Sequence, residues 1–558
     1  MKTELAKDFI RQIIDEDIEN NSSREVITRF PPEPNGYLHL GHAKSICLNF
    51  SVAEEKKGKT FLRFDDTNPI KEDEIYAESI KEDVSWLGYN WEDRLTFASD
   101  YFGDLYQAAI TLIKKGLAYV DNQNAEEMKN NRGTLTEPGK NSEFRDRAIN
   151  ENLDLFKKMK SGDFDDGEMV LRAKIDMSSP NMNLRDPVIY RIRKYNHQRT
   201  KDKWCIYPMY DFAHALSDAF EGITYSLCTL EFQDHRPLYN WFIEQVETGH
   251  RPRQIEFSRL NLAYSLTSKR KLNDLIEKNI VDGWDDPRLV TISGMRRRGY
   301  PPESIIDFCQ RVGVTKKDNI IEMALLENCV REELGNSTQR RMGVLDPIKV
   351  TIKNYDKDNI EYLEAQNHPK IPEFGSRKIP FTNEIFIERS DFLEDAPKKF
   401  FRLKPGGEVR LRYAYIICCE EVIKDSNGEI KELICTYDPD TKSGSGKSEK
   451  KVKGTIHWVS KKHAITSEVR LYDRLFHDHN PGSSEDIQSS INPKSLKISK
   501  AKLEESLGEE NAPNSFQLER NGYFCLDAKL SKTGKRVYNR VVTLRDTWAK
   551  IEKAALSG

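Results

Sequence analysis

Long apolar runs are missing from this 558-residue chain: the densest, Ala414 to Cys419, falls far short of the roughly 20 residues that a membrane-spanning helix needs. The stretch from Met1-Lys2-Thr3-Glu4 into Asp15-Glu16-Asp17 has no apolar core and no small-residue cleavage site, so no export signal is expected. Cysteine is sparse and unpatterned. The nine (Cys47, Cys205, Cys228, Cys309, Cys329, Cys418, Cys419, Cys435, Cys525) include no Cys-x-x-Cys pair, which fits a reduced cytosol and speaks against a Cys-based zinc site. Net charge is also scarce: 87 Lys+Arg against 90 Asp+Glu leave −3, which taken alone argues against a general polyanion binder.

What is present is a folded, multidomain protein. Aromatics make up 10% of the chain, far more than a solvated tail carries, and the length allows roughly three or four domains. Val26 to Phe30 reads as a buried strand, Pro31 to Gly36 as a tight turn, and Ala43 to Phe50 as the start of an amphipathic helix. Phe61 to Phe64 makes a second strand ending in Asp65-Asp66, and Tyr76 to Leu87 has helical spacing. Such alternation predicts a Rossmann-like parallel α/β sheet whose site lies at the strand C-termini. It is interrupted over 100–205, where an inserted domain is expected, and resumes near Ile206. Helical spacing then dominates from Asp285 to Glu333. Beyond Gly343 short alternating stretches (Ile348 to Ile352, Glu384 to Ile387, Val409 to Ile417, Gly454 to Val459) predict β-barrels, with a flexible loop at Lys442 to Ser448. The expected division is 1–99 with 206–260 as the catalytic domain, 100–205 inserted, 261–338 helical, and 339–558 as two antiparallel β-barrels.

Two motifs carry chemistry. Tyr37-Leu38-His39-Leu40-Gly41-His42-Ala43-Lys44 stands where a strand hands over to a helix. Helix N-terminal amides favour anions, Gly41 lets a base or ribose approach the backbone, and two imidazoles one turn apart can donate to phosphate oxygens. Two structural histidines are the plainer alternative. Ser265-Leu266-Thr267-Ser268-Lys269-Arg270-Lys271 is a basic turn whose Lys269 can neutralise a leaving pyrophosphate; read alone, it is a solvated loop.

With both motifs in one chain, together with Arg29 to Gly36, Arg63-Phe64-Asp65-Asp66-Thr67-Asn68-Pro69, Tyr207 to Phe212, Cys228 to Asp234 and Gly283 to Arg288, the sequence resembles the class I aminoacyl-tRNA synthetases, in their glutamine-specific branch, over nearly its whole length. The resemblance implies ATP-dependent ligation of glutamine to tRNA(Gln) through an adenylate, with transfer to the terminal 2′ hydroxyl. Mg2+ would enter with ATP, and no structural zinc is expected. It implies ATP contacts at Glu33, Pro34, Asn35, His39, Leu40, Gly41, His42, Ala43, Lys44, Ser45, Thr229, Arg259, Leu260, Thr267, Ser268 and Lys269, with His39, His42 and Lys269 catalytic. Leu266 and Thr267 stand where the class has Lys-Met, which leaves the catalytic burden on Lys269. Asp66 and Tyr210 match the glutamine pocket and Arg29 a position near the bound amino acid.

For tRNA, the inserted domain would hold the acceptor end, with Asp234 reading the minor groove, where the guanine amino group is the donor on offer. Arg340, Arg402, Arg410, Arg412, Gln517 and Arg520 match anticodon-side positions, and Arg410 and Arg412, two apart on one strand, would share a face. Basic charge is clustered: 251–300, 396–415 and 445–463 each carry a local excess of +5. A cytoplasmic monomer follows from the resemblance. The alternatives are a barrel-containing glutamate-specific enzyme and a catalytically silent tRNA-binding relative.

Overall fold

A computed structural model of the chain describes residues 7–20, 25–70, 73–445, 450–484, 486–546 and 548. Positions 446–448 of the expected flexible loop therefore lie outside the described residues. The chain divides into two compact units, Met1–Asn261 with Cys309–Ile321, and Leu262–Phe308 with Glu322–Gly558.

In the first unit α1 (Phe9–Asn20) precedes β1 (Ile27–Phe30), α2 (Leu40–Glu55), β2 (Lys59–Phe64), α3 (Glu74–Trp86) and β3 (Leu95–Phe97). β1 pairs parallel with β2, and β2 with β3. Thr28, Arg29 and Phe30 are all buried, as expected of a parallel strand covered on both faces. After the inserted segment, β8 (Tyr225–Thr229) and β9 (Arg253–Phe257) pair parallel. Thr224 joins the halves: its amide donates to Ile27 O at 2.9 Å, and its hydroxyl accepts from Ile27 N at 2.7 Å. The strands thus run β3-β2-β1-β8-β9 with their C-terminal ends at Phe97, Phe64, Phe30, Thr229 and Phe257.

The interruption contains α4 (Phe102–Lys114), β4 (Ala118–Asp121), α5 (Ala125–Asn131), α6 (Ile149–Ser161), β5 (Val170–Ala173), β6 (Val188–Ile192) and β7 (Ile206–Pro208), followed by α7 (Tyr210–Phe220) and, after β8, α8 (Arg236–Val246). β7 pairs antiparallel with β6. It belongs to the inserted sheet, so parallel pairing resumes at Tyr225 and not near Ile206: three residues of strand spacing do not reveal which sheet they join. Phe156, Tyr190, Trp204, Phe212 and Phe242 fill the core beneath.

The second unit opens with α9 (Lys269–Glu277) and α10 (Ile292–Arg298), and α12 (Met323–Ser337) follows α11 (Pro302–Val312). Two seven-stranded sheets come next. The first has Gln339–Arg341 at one edge and Gly343–Val344 at the other; the second has Thr455–Ile456 and Val459–Ser460 at its edges. Because one or two residues link opposite edges of a sheet, each sheet must curl back on itself and becomes barrel-like. Both are mostly antiparallel, with parallel pairs where Gln339–Arg341 meets Ser515–Leu518, Ile465–Tyr472 meets Val537–Thr543, Pro347–Ile352 meets Ile430–Asp438, and Glu408–Leu411 meets Thr455–Ile456. The single strand expected from Val409 to Ile417 is two, Glu408–Leu411 and Ile416–Lys424, joined by a turn in which Tyr413 takes φ 65°.

A buried ion network ties the first unit together. Arg29 Nε and Arg63 Nη2 both donate to Asp218 Oδ1, at 2.9 and 2.6 Å, and Tyr239 OH donates to Oδ2 at 2.9 Å. Arg63 also meets Glu221, which accepts from Thr96 Oγ1 and Tyr101 OH. Burial would raise the Asp218 carboxyl, but Arg29, His214 and Arg63 outweigh it and hold it below the usual carboxylate range. Asp218→Asn should therefore strand the buried Arg29 guanidinium, leave Arg63 to Glu221 alone, and cost about 3–5 kcal/mol. The measurement is the thermal midpoint, expected to fall roughly 5–10 °C, while the same change at exposed Asp93 leaves it unmoved.

Candidate active site

The first signature sits on the N-terminus of α2. The helix begins at Leu40, earlier than its hydrophobic spacing suggests, because His39 caps it. His39 Nδ1 accepts from Gly41 N at 3.1 Å and His42 Nδ1 from His39 N at 3.1 Å, with ring centroids 4.0 Å apart. This is the reciprocal logic of a capping box built from imidazoles. Burial, and then the charge of His42, push His39 well below its ordinary pKa, and burial brings His42 to about 4. Both rings are neutral near pH 7. Since Nδ1 accepts in each, the proton is assigned to Nε2, which leaves two neutral N–H donors at a helix N-terminus. A Cβ on Gly41 would stand 2.9 Å from His39 Cε1, so the glycine first makes room for the capping ring.

The flanking positions differ in what they offer. Glu33 is exposed, Asn35 is half-buried, and Pro34 and Ala43 are buried; Ser45 O accepts from Asn49 Nδ2. Lys44 is 4% exposed, with Nζ donating to Ser258 O at 3.0 Å and its pKa lowered by burial. It ties α2 to the end of β9 and does not present an open ammonium. At the ends of β8 and β9, Glu231 accepts from Thr229 Oγ1 at 2.7 Å and pairs with Arg259, whose amide bonds Asp318 at 3.0 Å; Leu260 is buried.

Close by on α7 runs a stripe of Tyr210, His214 and Asp218, spaced four apart on one face. Tyr210 stacks on His214 at 5.0 Å and leans on Phe232 at 5.4 Å. Burial brings His214 to about 3 and raises the Tyr210 phenol well above its usual value, so both are neutral. Arg29 is 0% exposed; its guanidinium donates to Asp218, to Leu227 O at 2.9 Å and to Ser226 Oγ at 2.7 Å, with His214 Nε2 at 2.9 Å. It is fully enclosed and offers no exposed cation.

The two aspartates after β2 divide. Asp66 is buried, with Oδ1 accepting from Ser99 N at 2.8 Å and Oδ2 from Ser99 Oγ at 2.6 Å, and Arg199 Nη1 4.0 Å away. Asp65 accepts from Thr67 Oγ1 at 2.8 Å and is near enough to Tyr210 and Glu33 for their charges to act on one another. Burial raises both carboxyls to about 6. The resemblance marks Asp66 and passes over the adjacent Asp65; Ser99, 33 residues on, left no sequence signal.

The second signature is in the other unit. Lys269 and Ser268 are exposed at the start of α9 and Thr267 just before it, while Leu266 is buried against Leu475, Phe476 and Ile487. Leu266 thus anchors the base of the loop, which explains an apolar residue there. The exposed Asp234 is fixed through its carbonyl, which accepts from Asn181 Nδ2 at 2.7 Å. Among the anticodon-side candidates, Arg340 pairs in register with Gln517. Arg520 grips buried Asp391 with both Nη atoms, Arg402 Nε lies 3.4 Å from the same carboxylate, and Arg412 pairs with Glu519. Arg410 donates to Thr441 O at 2.7 Å. Arg410 and Arg412 point their amides at the same neighbouring segment, at Gly454 O and Ile456 O, as residues two apart on one strand must, although Arg412 lies just beyond the strand's end.

The family model for class I tRNA synthetases (E and Q), catalytic domain, matches residues 25–336, and the two anticodon-binding-domain models of the same class match 338–438 and 455–527. The chain is 58% identical over 545 residues to the glutamine–tRNA ligase of Proteus mirabilis, covering 98% of each. It is 57% identical over 541 residues to that of Tolumonas auensis, covering 97% of this chain and 98% of that one, and 57% over 543 residues to that of Escherichia coli, with the same coverage.

The caps generate a titration prediction. In histidine-labelled protein His42 should titrate near pH 4 and neither signature ring should gain a proton above pH 5, with nitrogen shifts of the Nε2-H tautomer; a midpoint above 6 for either ring would refute the neutral-donor geometry.

Proposed function

The chain belongs to the class I tRNA synthetases of the glutamate and glutamine type, and we propose how its residues divide the work of joining glutamine to tRNA. It is a glutamine–tRNA ligase by its identity over nearly the full length to enzymes of that name. A carboxylate oxygen of glutamine attacks the α-phosphorus of ATP, the bond to pyrophosphate breaks, and a ribose hydroxyl of tRNA then displaces AMP from the adenylate.

The observation that carries our assignment is the pair of neutral imidazoles capping α2. Their Nε2–H groups, with the helix N-terminus, are proposed to bind the phosphates of ATP through the transition state, without the cost of protonating a buried ring. Gly41, Thr229, Arg259 and Leu260 would border the nucleotide, and Lys269 would neutralise the departing pyrophosphate. Mg2+ is proposed to enter with ATP on its phosphates. Lys44 is assigned to positioning α2.

For the amino acid we propose Asp65 as the ammonium partner, with Asp66 supporting it through Ser99, because both Asp66 oxygens already accept hydrogen bonds. Tyr210 would bond the side-chain amide. Arg29, already neutralised by Asp218, gives the pocket floor no uncompensated cation, which favours an amide over a carboxylate. Asp234 is assigned to the acceptor stem and the arginines of the second unit to the anticodon side. A cytoplasmic monomer is proposed, in keeping with the scattered cysteines of the sequence.

Pyrophosphate exchange with glutamine and with glutamate, each with and without tRNA, tests the reading; preference for glutamate would sink it. Lys269→Ala should slow exchange by about 10² or more, and an unchanged rate would remove the lysine from the mechanism. Protonation of Asp65 and Asp66 as pH falls through about 6 removes the charge facing the ammonium. The KM for glutamine should therefore rise between pH 7 and 5, and a flat profile would exclude both carboxylates.

A further inference from the structure

Two of the basic segments seen in the sequence, 396–415 and 445–463, meet in space around one exposed aromatic ring. Gly454 passes so close to residue 401 that a Cβ there would lie 1.9 Å from Phe401 O, and Arg410 N donates to Gly454 O at 3.0 Å. On the other side Arg402 Nη1 donates to Ser390 O at 2.8 Å, and a turn from Pro397 O to Phe400 N (2.9 Å) leads into the segment. The backbone of Phe401 is therefore held from both sides, yet its side chain is 50% exposed, which an isolated folded unit gains nothing by. Lys453 Nζ lies 5.0 Å from the ring centroid, in cation–π range. Lys398, Lys399, Lys404, Lys451 and Lys453 have no carboxylate partner among the described residues, so the surroundings are strongly cationic.

We propose that Phe401, backed by Lys453, is a stacking platform for one unpaired base of the bound tRNA. A flat apolar ring on a fixed backbone, amid cations with no acidic partners, matches the faces of a nucleobase and the phosphates beside it. A folded protein partner would need a contiguous apolar patch, whereas this ring has Lys453 beside it and lies in a lysine-rich stretch of chain. Stacking is blind to base edges, so Phe401 supplies affinity while Arg402, Arg410 and their neighbours supply discrimination. This inference rests on the proposed anticodon-side reading of the second unit.

The test uses the full-length enzyme and tRNA carrying 2-aminopurine at single unpaired loop positions. Phe401→Ala should weaken tRNA binding about 10-fold, within the range for loss of one base–aromatic stack, with the melting midpoint and the salt slope of binding unchanged. Phe401→Trp should restore affinity, and Phe401→Leu should not. Lys453→Ala should instead reduce the salt slope by about one. One loop position should lose fluorescence on binding the wild type and regain it with Phe401→Ala. Wild-type affinity in Phe401→Ala, full rescue by leucine, or no quenched position would overturn the platform while leaving the functional reading standing. A wild-type enzyme that binds no tRNA would overturn both.

Discussion

The catalytic half of this molecule depends on one buried carboxylate. Asp218 receives Arg29 from β1, Arg63 from β2 and Tyr239 from α8, and through Arg63 it is linked to Glu221 and so to Thr96 and Tyr101 around β3. Burying these charges is expensive unless each has its partner, so the network is satisfied as a whole or not at all. Its geometric effect is to fix α7 against the C-terminal ends of the parallel strands. His214 and Tyr210 stand one and two turns before Asp218 on the same helical face, so the carboxylate that joins the strands to α7 also sets the place of that stripe.

The same network gives the site its electrostatic character. Arg29 would be an obvious attractor for an acidic side chain, but Asp218 neutralises it, and His214 above is a neutral ring. Across the site the capping imidazoles are neutral because burial makes protonation costly. On the proposed reading, strong charge would be left to the groups that enter, the phosphates and the amino acid's ammonium, and to the two aspartates after β2, whose raised pKa values mark the desolvation they bear. A site of fixed neutral donors needs little reorganisation when charge shifts during adenylation, which is how preorganised polar groups stabilise a transition state.

Local features were legible in the sequence, and long-range pairings were not. The buried β1, the strand-turn-helix carrying His39 to Lys44, and the short strands of the second unit follow from periodicity and turn residues. What periodicity cannot show is which sheet a strand joins: β7 has the spacing of any three-residue strand, and only its pairing with β6 places it in the inserted sheet. Side-chain direction is equally silent. Lys44, matched by resemblance to a nucleotide-contact position, has its Nζ on Ser258 O, a direction that spacing does not show. Asp66, the aspartate that the resemblance marks, is held by Ser99, and Arg29, matched near the bound amino acid, is met by Asp218, 189 residues away; neither partner is legible locally.

The near-zero net charge takes on a physical meaning in the second unit. Of the cations there, the arginines at matched anticodon positions are largely held by carboxylates or carbonyls: Arg520 and Arg402 by Asp391, Arg412 by Glu519, Arg410 by Thr441 O. Such pairing removes long-range attraction but fixes the direction of each planar donor fork, which is what edge recognition of a base requires. The lysines without acidic partners among the described residues, in the stretches beside Phe401, are the reverse case, flexible point charges that, under the proposed stacking platform, would attract phosphate without reading a base. On the proposed anticodon-side reading, acidic residues would do two things at once: lower the general affinity for polyanions that a basic surface would have, and orient the arginines so that one docking register is favoured over its neighbours.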